Sequence, residues 1–340
     1  MQQHMLRAPR EKRCCSLTPI PQVGNFSLPS PECTLDTPGL LVIGTRGSPL
    51  ALAQTAMVRA AIAQVRPSTS LETRRISTRG DRVQDRPLAE IGGKALFVEE
   101  IEAELRAGRI HLAVHSGKDI PSVLPHDMCI AAYLPRADPR DALVSRHSGG
   151  IDSLPPGARV GTSSPRRACQ LRALRSDLEI LDIRGNVETR LAKLDAGTFD
   201  AIVLAVAGLT RLGLEQRITH RIPTDVMIPC AAQGAIAIEV LAADQRLVEL
   251  ITACGDVNTM KAVSAERAFL AEMGGSCDTP LGAHATVEGH EIVLRAVVGN
   301  ANGAAIRGEL RGSASAPLSL GTALASQLLE AGGAALLAGR

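Results

Sequence analysis

Val160-Gly161-Thr162-Ser163-Ser164-Pro165-Arg166-Arg167 is an apolar strand end that runs into hydroxyl residues, a proline and two guanidinium groups. Free backbone N–H groups at a helix start, side-chain donors and fixed positive charge converge there, a combination suited to carboxylate or phosphate. Ile43-Gly44-Thr45-Arg46-Gly47-Ser48-Pro49 follows the same plan, with strand, Gly-Thr, hydroxyl cap and Pro in the same order and one more residue in the turn. The repeat predicts two similar α/β lobes that face each other across a cleft, with an anion-binding helix start on each wall.

Outward from these turns, strand and helix patterns alternate from Leu40 onward, which predicts α/β architecture with mainly parallel sheets. Ser48 caps a helix with Pro49 at its first position, and Leu52, Ala53, Ala56, Met57, Ala60 and Ala61 recur along it at helical spacing. Leu96 to Arg106 reads as a second helix, stopped by Gly108. Ile110 to Val114 reads as a strand ending in His115-Ser116-Gly117-Lys118-Asp119, and Ala201 to Ala205 echoes it. The last part differs in character: Asn258 caps a helix through Met273, followed by Gly274-Gly275-Ser276-Cys277. Ile292 to Val298 and Ile306 to Leu310 pair as antiparallel strands across Asn300-Ala301-Asn302-Gly303, and an Ala/Leu-rich helix ends the chain. The expected organisation is a first lobe of 39–135 plus 235–253, a second of 138–230, and a small α+β domain of 257–340.

At 340 residues with 45% hydrophobic residues, the chain is long enough for two or three buried cores. The absence of Trp, with one Tyr and four Phe, makes those cores aliphatic. A formal net charge of +2 and few aromatic rings speak against a nucleic-acid partner. Positive charge is concentrated in Arg, the residue whose planar fork grips carboxylate or phosphate, although a GC-rich genome also favours Arg codons. The eight cysteines show no C-x-x-C or similar spacing, so neither zinc nor a disulfide framework is suggested, and a reducing cytoplasm fits best. His111 and His115 fall on a strand and make no metal pair. Residues 1–38 are Pro-rich, carry Arg7, Arg10, Lys12 and Arg13, and hold no apolar run long enough for a signal peptide or membrane span. They read as a disordered extension; organellar import stays open if they form a transit peptide, although Glu11, Glu32 and Asp36 argue against one.

Asp119 lies in the turn after a strand, where a carboxylate can stabilise a cation or move a proton, or simply pair with Lys118. Arg46, Arg166, Arg167, Arg184 and Arg190 fall at turns or early in helices, and with Ser48, Thr162, Ser163 and Ser164 they suggest a shared anion site. Cys277 follows two glycines and a serine on a loop with room for a bulky attachment, although a lone Cys is more often inert.

Together these segments resemble the porphobilinogen deaminase (hydroxymethylbilane synthase) family. The matching stretches include Thr45 to Leu52, Thr78-Arg79-Gly80-Asp81, Gly92 to Phe97, His115 to Asp119, Asp138-Pro139-Arg140-Asp141-Ala142, Val160 to Arg167, Arg184 to Val187, Leu204 to Gly213, Gln233-Gly234-Ala235 and Gly275-Ser276-Cys277. They occur in the family's order across roughly residues 40 to 340. The resemblance implies two lobes like those of periplasmic binding proteins and a transferase that joins four porphobilinogen molecules head to tail with loss of ammonia. It implies a dipyrromethane cofactor held by a thioether to Cys277, with linear hydroxymethylbilane released by hydrolysis in tetrapyrrole (haem) biosynthesis.

The resemblance further implies that Asp119 faces pyrrole N–H groups and stabilises the azafulvene-like cation formed as ammonia leaves. Lys118, Asp119, Thr162, Ser164, Arg166, Arg167 and Arg190 would hold the cofactor. Arg46, Ser48, Ser116, Arg184, Arg190 and Arg211 would meet substrate. Each pyrrole brings an acetate and a propionate, which gives the Arg clusters their purpose. Gly117, where a Met is common, is expected to loosen the turn carrying Lys118 and Asp119, while Ala95 and Pro165 also depart from the family pattern without removing a charged group. A cytoplasmic monomer without membrane or nucleic-acid partner is expected. Two other readings stand beside this one. A carboxylate-binding solute receptor without catalysis would also have two lobes around an anion-lined cleft, but needs export and no third domain. A cysteine hydrolase would need a His partner for Cys277 that no motif supplies.

Overall fold

The computed structural model describes residues 39–82, 98–274 and 279–338. The expectation of disorder for residues 1–38, the Gly92 to Phe97 stretch and Cys277 therefore lie outside the described residues.

In the first sheet β1 (Leu40–Arg46) is parallel to β2 (Ser70–Ile76) and to β3 (Leu112–Ser116). The strand β10 (Ile236–Leu241) then inserts antiparallel between β3 and β4 (Met128–Tyr133), giving the order β2-β1-β3-β10-β4. The second sheet repeats this plan with β5 (Asp141–Ser145), β6 (Arg159–Gly161), β7 (Glu179–Leu181), β8 (Ala201–Ala205) and β9 (His220–Ile222), in the order β7-β6-β8-β5-β9. There β5 is the strand that opposes its neighbours. Four strands of each sheet run one way and one opposes them, so each sheet is mixed, with two parallel and two antiparallel pairings, and each opposed strand directly follows a crossing from the other lobe. Residues 134–140 lead from β4 to β5, and residues 223–235 lead from β9 to β10.

The strands read as apolar runs because helices cover both faces. Leu112 and Val114 of β3 pack with Val58 and Ile62 of α1 (Pro49–Val65), while Ala113 points to the opposite face. There α2 (Arg79–Arg82) precedes α3 (Glu99–Arg106), whose Ile101 and Leu105 complete the core. In the second lobe Leu171 of α4 (Pro165–Leu174) joins Leu143 and Val160. Leu191 and Leu194 of α5 (Val187–Asp195) and Leu209 of α6 (Val206–Arg211) cover the other face with Ala142 and Ile202. Each fully buried Leu or Ile contributes about 1.5–3 kcal/mol.

After α7 (Gln245–Thr252), which packs on the first sheet, α8 (Val257–Glu272) begins a smaller unit. Its strands β11 (Leu281–Glu288), β12 (Glu291–Gly299) and β13 (Ala305–Ser313) form an antiparallel sheet. The expected hairpin is β12–β13, with Asn300 Oδ1 accepting from the backbone N–H of Asn302 and Ala304. The strand β11 was not anticipated, because its Gly and Ala residues give little alternation. The helix cap also differs from expectation: Asp256, not Asn258, accepts the Thr259 N–H at 2.6 Å. Asp256 has the extended backbone a cap needs, and Asn258 lies already inside the helix. The apolar C-terminal segment 317–338 is long enough to cross a membrane by length and composition. It is broken by Gly332 at φ +106° into α9 (Pro317–Leu328) and α10 (Ala334–Ala338), and Leu320, Leu324, Ala325 and Leu328 of α9 belong to the core with Phe269.

One buried ion pair ties this unit to the crossings. Glu266 of α8 accepts from Arg136 Nη1 at 2.5 Å, from Ala232 N at 2.6 Å and from Ala285 N at 2.7 Å. Arg136 sits on the first crossing, Ala232 on the second and Ala285 on β11, so a single carboxylate joins three segments.

Candidate active site

Both hydroxyl–proline turns form as helix starts. Ser48 Oγ accepts the Ala51 N–H at 3.3 Å ahead of α1, and Ser164 Oγ accepts the Arg167 N–H at 3.5 Å ahead of α4, each with Pro at the first turn. Capping uses one acceptor lone pair of each hydroxyl and leaves its O–H to donate, as an anion requires. Thr162 Oγ1 accepts the Ser164 N–H, and Ser163 Oγ donates to the Ile183 carbonyl, so the second turn is latched to the chain after β7.

Arg166 and Arg167 are 4% and 6% exposed, and both reach Asp141. Arg166 Nη1 lies 2.8 Å from Asp141 Oδ2, and Arg167 Nη2 lies 2.7 Å from Oδ1. Arg166 also donates to the Ile228 carbonyl at 2.7 Å, and Arg167 to the Val203 carbonyl at 2.9 Å. The pair is thus not an open clamp. Burial alone would raise the Asp141 carboxyl, but the two guanidiniums outweigh it and hold it well below the usual carboxylate range.

On the first-lobe side, Arg46 at the end of β1 is clasped by Asp81, with Nη2 2.5 Å from Oδ1 and Nε 3.1 Å from the same oxygen. Burial would raise the Asp81 carboxyl; hydrogen bonds and charge from Arg46 and bonds from Thr78 bring it lower instead. The remaining Arg46 nitrogen, Nη1, is 4.0 Å from Asp119 Oδ2. Asp119 and Lys118 lie in a short 3-10 turn, Gly117–Asp119, directly after β3. Gly117 is buried, donates to the Ala235 carbonyl at 2.9 Å, and would place a Cβ 3.0 Å from that of Ala232. The turn is packed there, contrary to the looseness expected of a glycine.

Burial first, then the Arg167 charge, push the Lys118 amine below its ordinary value, with Asp119, Cys230 and Asp141 acting the other way. Burial and the Arg167 and Arg184 charges push Arg190 down to about 10, and burial pushes Arg211 down to about 10. Both remain cationic near neutral pH. Arg190 Nε donates to the Gly185 carbonyl at 2.8 Å, while Arg211 Nη2 donates to the Gly234 carbonyl at 2.6 Å. Ser116 exchanges hydrogen bonds with Gln54 of α1, at 2.8 Å from Gln54 Nε2 to Ser116 Oγ. Ser116, Lys118, Gln54, Arg211 and Gln233 line one small cavity, about 30 Å³, between the lobes.

The structure therefore gathers Arg46, Ser116, Lys118, Asp119, Arg166, Arg167, Arg184, Arg190 and Arg211 about one cleft, with Thr162, Ser164 and Ser48 at the helix starts. Asp81, Asp141, Gln233 and Gln54 were not singled out as site residues. Asp81, Asp141 and Gln233 lie in stretches that carry the family likeness, but the partner that gives each its purpose is distant in sequence. Arg166 Nε and Arg211 Nε are buried without a partner among the described residues. Arg211 lines the small cavity, and spare guanidinium donors within this cationic cluster fit a ligand with several carboxylates, as dipyrromethane is.

Comparison with known proteins agrees with this chemistry. The family described as porphobilinogen deaminase, dipyromethane cofactor binding domain, matches residues 41–249, and the porphobilinogen deaminase C-terminal domain matches 260–330. A porphobilinogen deaminase of Roseiflexus sp. (strain RS-1) is 56% identical over 299 residues, covering 88% of this chain and 99% of that relative. One from Stenotrophomonas maltophilia (strain R551-3) is 49% identical over 296 residues, 87% of this chain and 98% of the relative. The periplasmic aliphatic sulphonate binding protein of Escherichia coli superposes with a TM-score of 0.39 and 16% identity, over 70% of this chain and 71% of its own, too distantly to bear on function. With two family domains matched in order and relatives matched over nearly their whole length, the chain belongs to the porphobilinogen deaminase family.

Proposed function

We propose that the chain is a hydroxymethylbilane synthase, joining four porphobilinogen molecules head to tail with release of ammonia. The observation that carries this reading is the placement of Asp119 beside Arg46 at the mouth of an Arg-lined cleft, in a chain of this family. Dipyrromethane, when bound, supplies the free pyrrole end on which the product grows.

The residues divide the work as follows. Arg46, Arg184 and Arg211, with Ser48 and Ser116, receive the acetate and propionate arms of an incoming porphobilinogen, and charge-assisted hydrogen bonds orient its aminomethyl carbon. Asp119 accepts from the pyrrole N–H and stabilises the cation left on that unit as ammonia departs. Lys118, Arg166, Arg167 and Arg190, with the Thr162 and Ser164 hydroxyls, hold the carboxylates of the primer. Because Arg166, Arg167, Arg190, Thr162 and Ser164 are held by hydrogen bonds before ligand arrives, little reorganisation of them is needed during the reaction. A thioether at Cys277 and a monomeric, cytoplasmic enzyme complete the proposal. Sedimentation and cell fractionation test those last two properties.

Intact-mass measurement of purified protein tests the central reading. The expected result is a covalent dipyrrole adduct that is lost in Cys277→Ala, together with porphobilinogen consumption and ammonia release by the wild type. An unmodified wild-type mass with full activity overturns the cofactor assignment. A carboxylate receptor would instead bind porphobilinogen without consuming it.

A further inference from the structure

Asp141 opens β5 with no exposure to solvent, and five N–H contacts converge on its carboxylate. Arg166 Nη1 donates to Oδ2 at 2.8 Å. Oδ1 receives Arg166 Nη2 at 3.3 Å, Arg167 Nε at 2.9 Å, Arg167 Nη2 at 2.7 Å and Gln233 Nε2 at 3.0 Å. One negative charge therefore serves two buried guanidiniums, and the trio carries a net charge of +1. Lys118 adds a further positive charge within electrostatic reach of Arg167. Without a counter-ion, two buried cations so close would repel and splay, since neither water nor salt screens them there.

The geometry also leaves something over. Asp141 takes both terminal nitrogens of Arg166 and one edge of Arg167, while Arg166 Nε stays buried without a partner among the described residues. The trio is fixed to the lobe crossings as well. Gln233 reaches the Pro139 carbonyl at 2.7 Å with the same amide nitrogen that serves Asp141, so the second crossing, the first crossing and the Arg pair share one hydrogen-bonding centre.

We propose that Asp141 is a positioning residue for primer loading: it is the resident counter-ion that keeps Arg166 and Arg167 assembled before the dipyrromethane carboxylates arrive. The inference rests on the function proposed above. It makes a distinction that an ordinary buried ion pair would not. A purely structural pair supports loaded and unloaded chain equally, whereas a resident counter-ion matters more in the unloaded chain, because the primer's own carboxylates take over part of the neutralisation once bound.

The full chain is produced in cells unable to make porphobilinogen, then given porphobilinogen while intact mass is followed and thermal midpoints are recorded before and after loading. Asp141→Asn, which keeps the shape and removes the charge, is expected to load about tenfold slower or worse, the effect of one charge-assisted contact on a rate. It is also expected to gain more thermal stability on loading than the wild type does. Wild-type loading rate, or the same gain in midpoint as wild type, overturns the proposal. Should Asp141→Asn fail to fold when unloaded, Asp141→Glu keeps the charge but moves it by one methylene. Slowed loading by that variant supports the role, and loading at the wild-type rate overturns it. A wild-type chain that never acquires the adduct counts against the cofactor reading instead, so the two failures are told apart.

Discussion

Arg46 Nη1 stands 4.0 Å from Asp119 Oδ2 while the opposite edge of the same guanidinium is held by Asp81. Arg46 thus lies between a carboxylate that fixes it and the carboxylate proposed to stabilise charge in the reaction. Asp119 is 31% exposed at its side chain, so it serves the fold little. Asp119→Ala is expected to keep the wild-type thermal midpoint within a degree or two and to lose turnover at least about hundredfold. Asp119→Glu should retain a measurable part. Steady-state porphobilinogen consumption checks this, and full activity in the alanine variant contradicts the role.

Removing Asp81 lets Arg46 swing to Asp119 and pair with it, which draws the guanidinium off the substrate arms and neutralises the reacting carboxylate. Asp81→Ala is expected to raise KM about fivefold, equivalent to about 1 kcal/mol, and to lower kcat as well. A KM below that of the wild type would show that Asp81 competes with substrate for Arg46 and does not orient it.

Replacing Arg166 or Arg167 by Leu leaves the fully buried Asp141 paired with a single guanidinium and strips two N–H contacts from its carboxylate. Each variant should lose about 1.5–3 kcal/mol of stability in denaturant titration as well as failing to load the primer. Arg166→Lys should recover part of the stability but little of the loading, since an ammonium cannot bridge as the planar fork does. Normal loading by the leucine variants counts against the assigned role.

Gly234 has φ +89°, and a Cβ there would clash with the Ala137 carbonyl oxygen, where the two crossings touch. The clash is with backbone, which cannot rotate away. Gly234→Ala is expected to cost about 2–4 kcal/mol, from strain at a left-handed position plus overpacking. Urea unfolding reads it directly, and a loss below the measurement error refutes the tight crossing.

His284 on β11 is 6% exposed, and its Nδ1 has no partner among the described residues. Burial pushes it down to about 4 from 6.5, with Glu266 opposing and the Arg136 and Arg295 charges adding to the fall. A depressed folded-state value means that the unfolded chain takes up the proton first as pH falls. The neutral ring's contribution is therefore intact above pH 6.5 and is lost progressively as pH falls toward 4, by up to about 3 kcal/mol. Thermal midpoints measured from pH 7 to pH 4 should fall less steeply in His284→Leu than in the wild type. Parallel curves refute the assignment.

Helix starts at Ser48-Pro49 and Ser164-Pro165 could be read from sequence because a cap, a proline and the following apolar spacing act within a few residues. The same holds for Gly108, whose φ of +64° ends α3. By contrast, β10 joins β3 and β4 from more than a hundred residues away, and nothing in Ile236–Leu241 states that it will run antiparallel between them. The site divides along the same line. Arg166 and Arg167 stood out as adjacent charges, but Asp141, which decides how those charges are presented, lies 25 and 26 residues earlier and looks like an ordinary turn carboxylate. Local chemistry marks where donors stand; their neutralisation depends on chain topology.

The insertion of β10 also imposes an order on birth at the ribosome. Among the described strands β4 pairs only with β10, and β10 is synthesised after the whole second sheet. The second sheet's last strand ends at Ile222 and its core reaches only to Met227, so it can close while the first still has an unpaired edge at β3 and a stranded β4. The growing chain therefore carries a half-built first lobe for the time it takes to make residues 134–241, roughly 5–20 s at ordinary elongation rates. In that interval two open β edges are available to any passing chain, which makes the nascent polypeptide, rather than the finished enzyme, the form most in need of a chaperone.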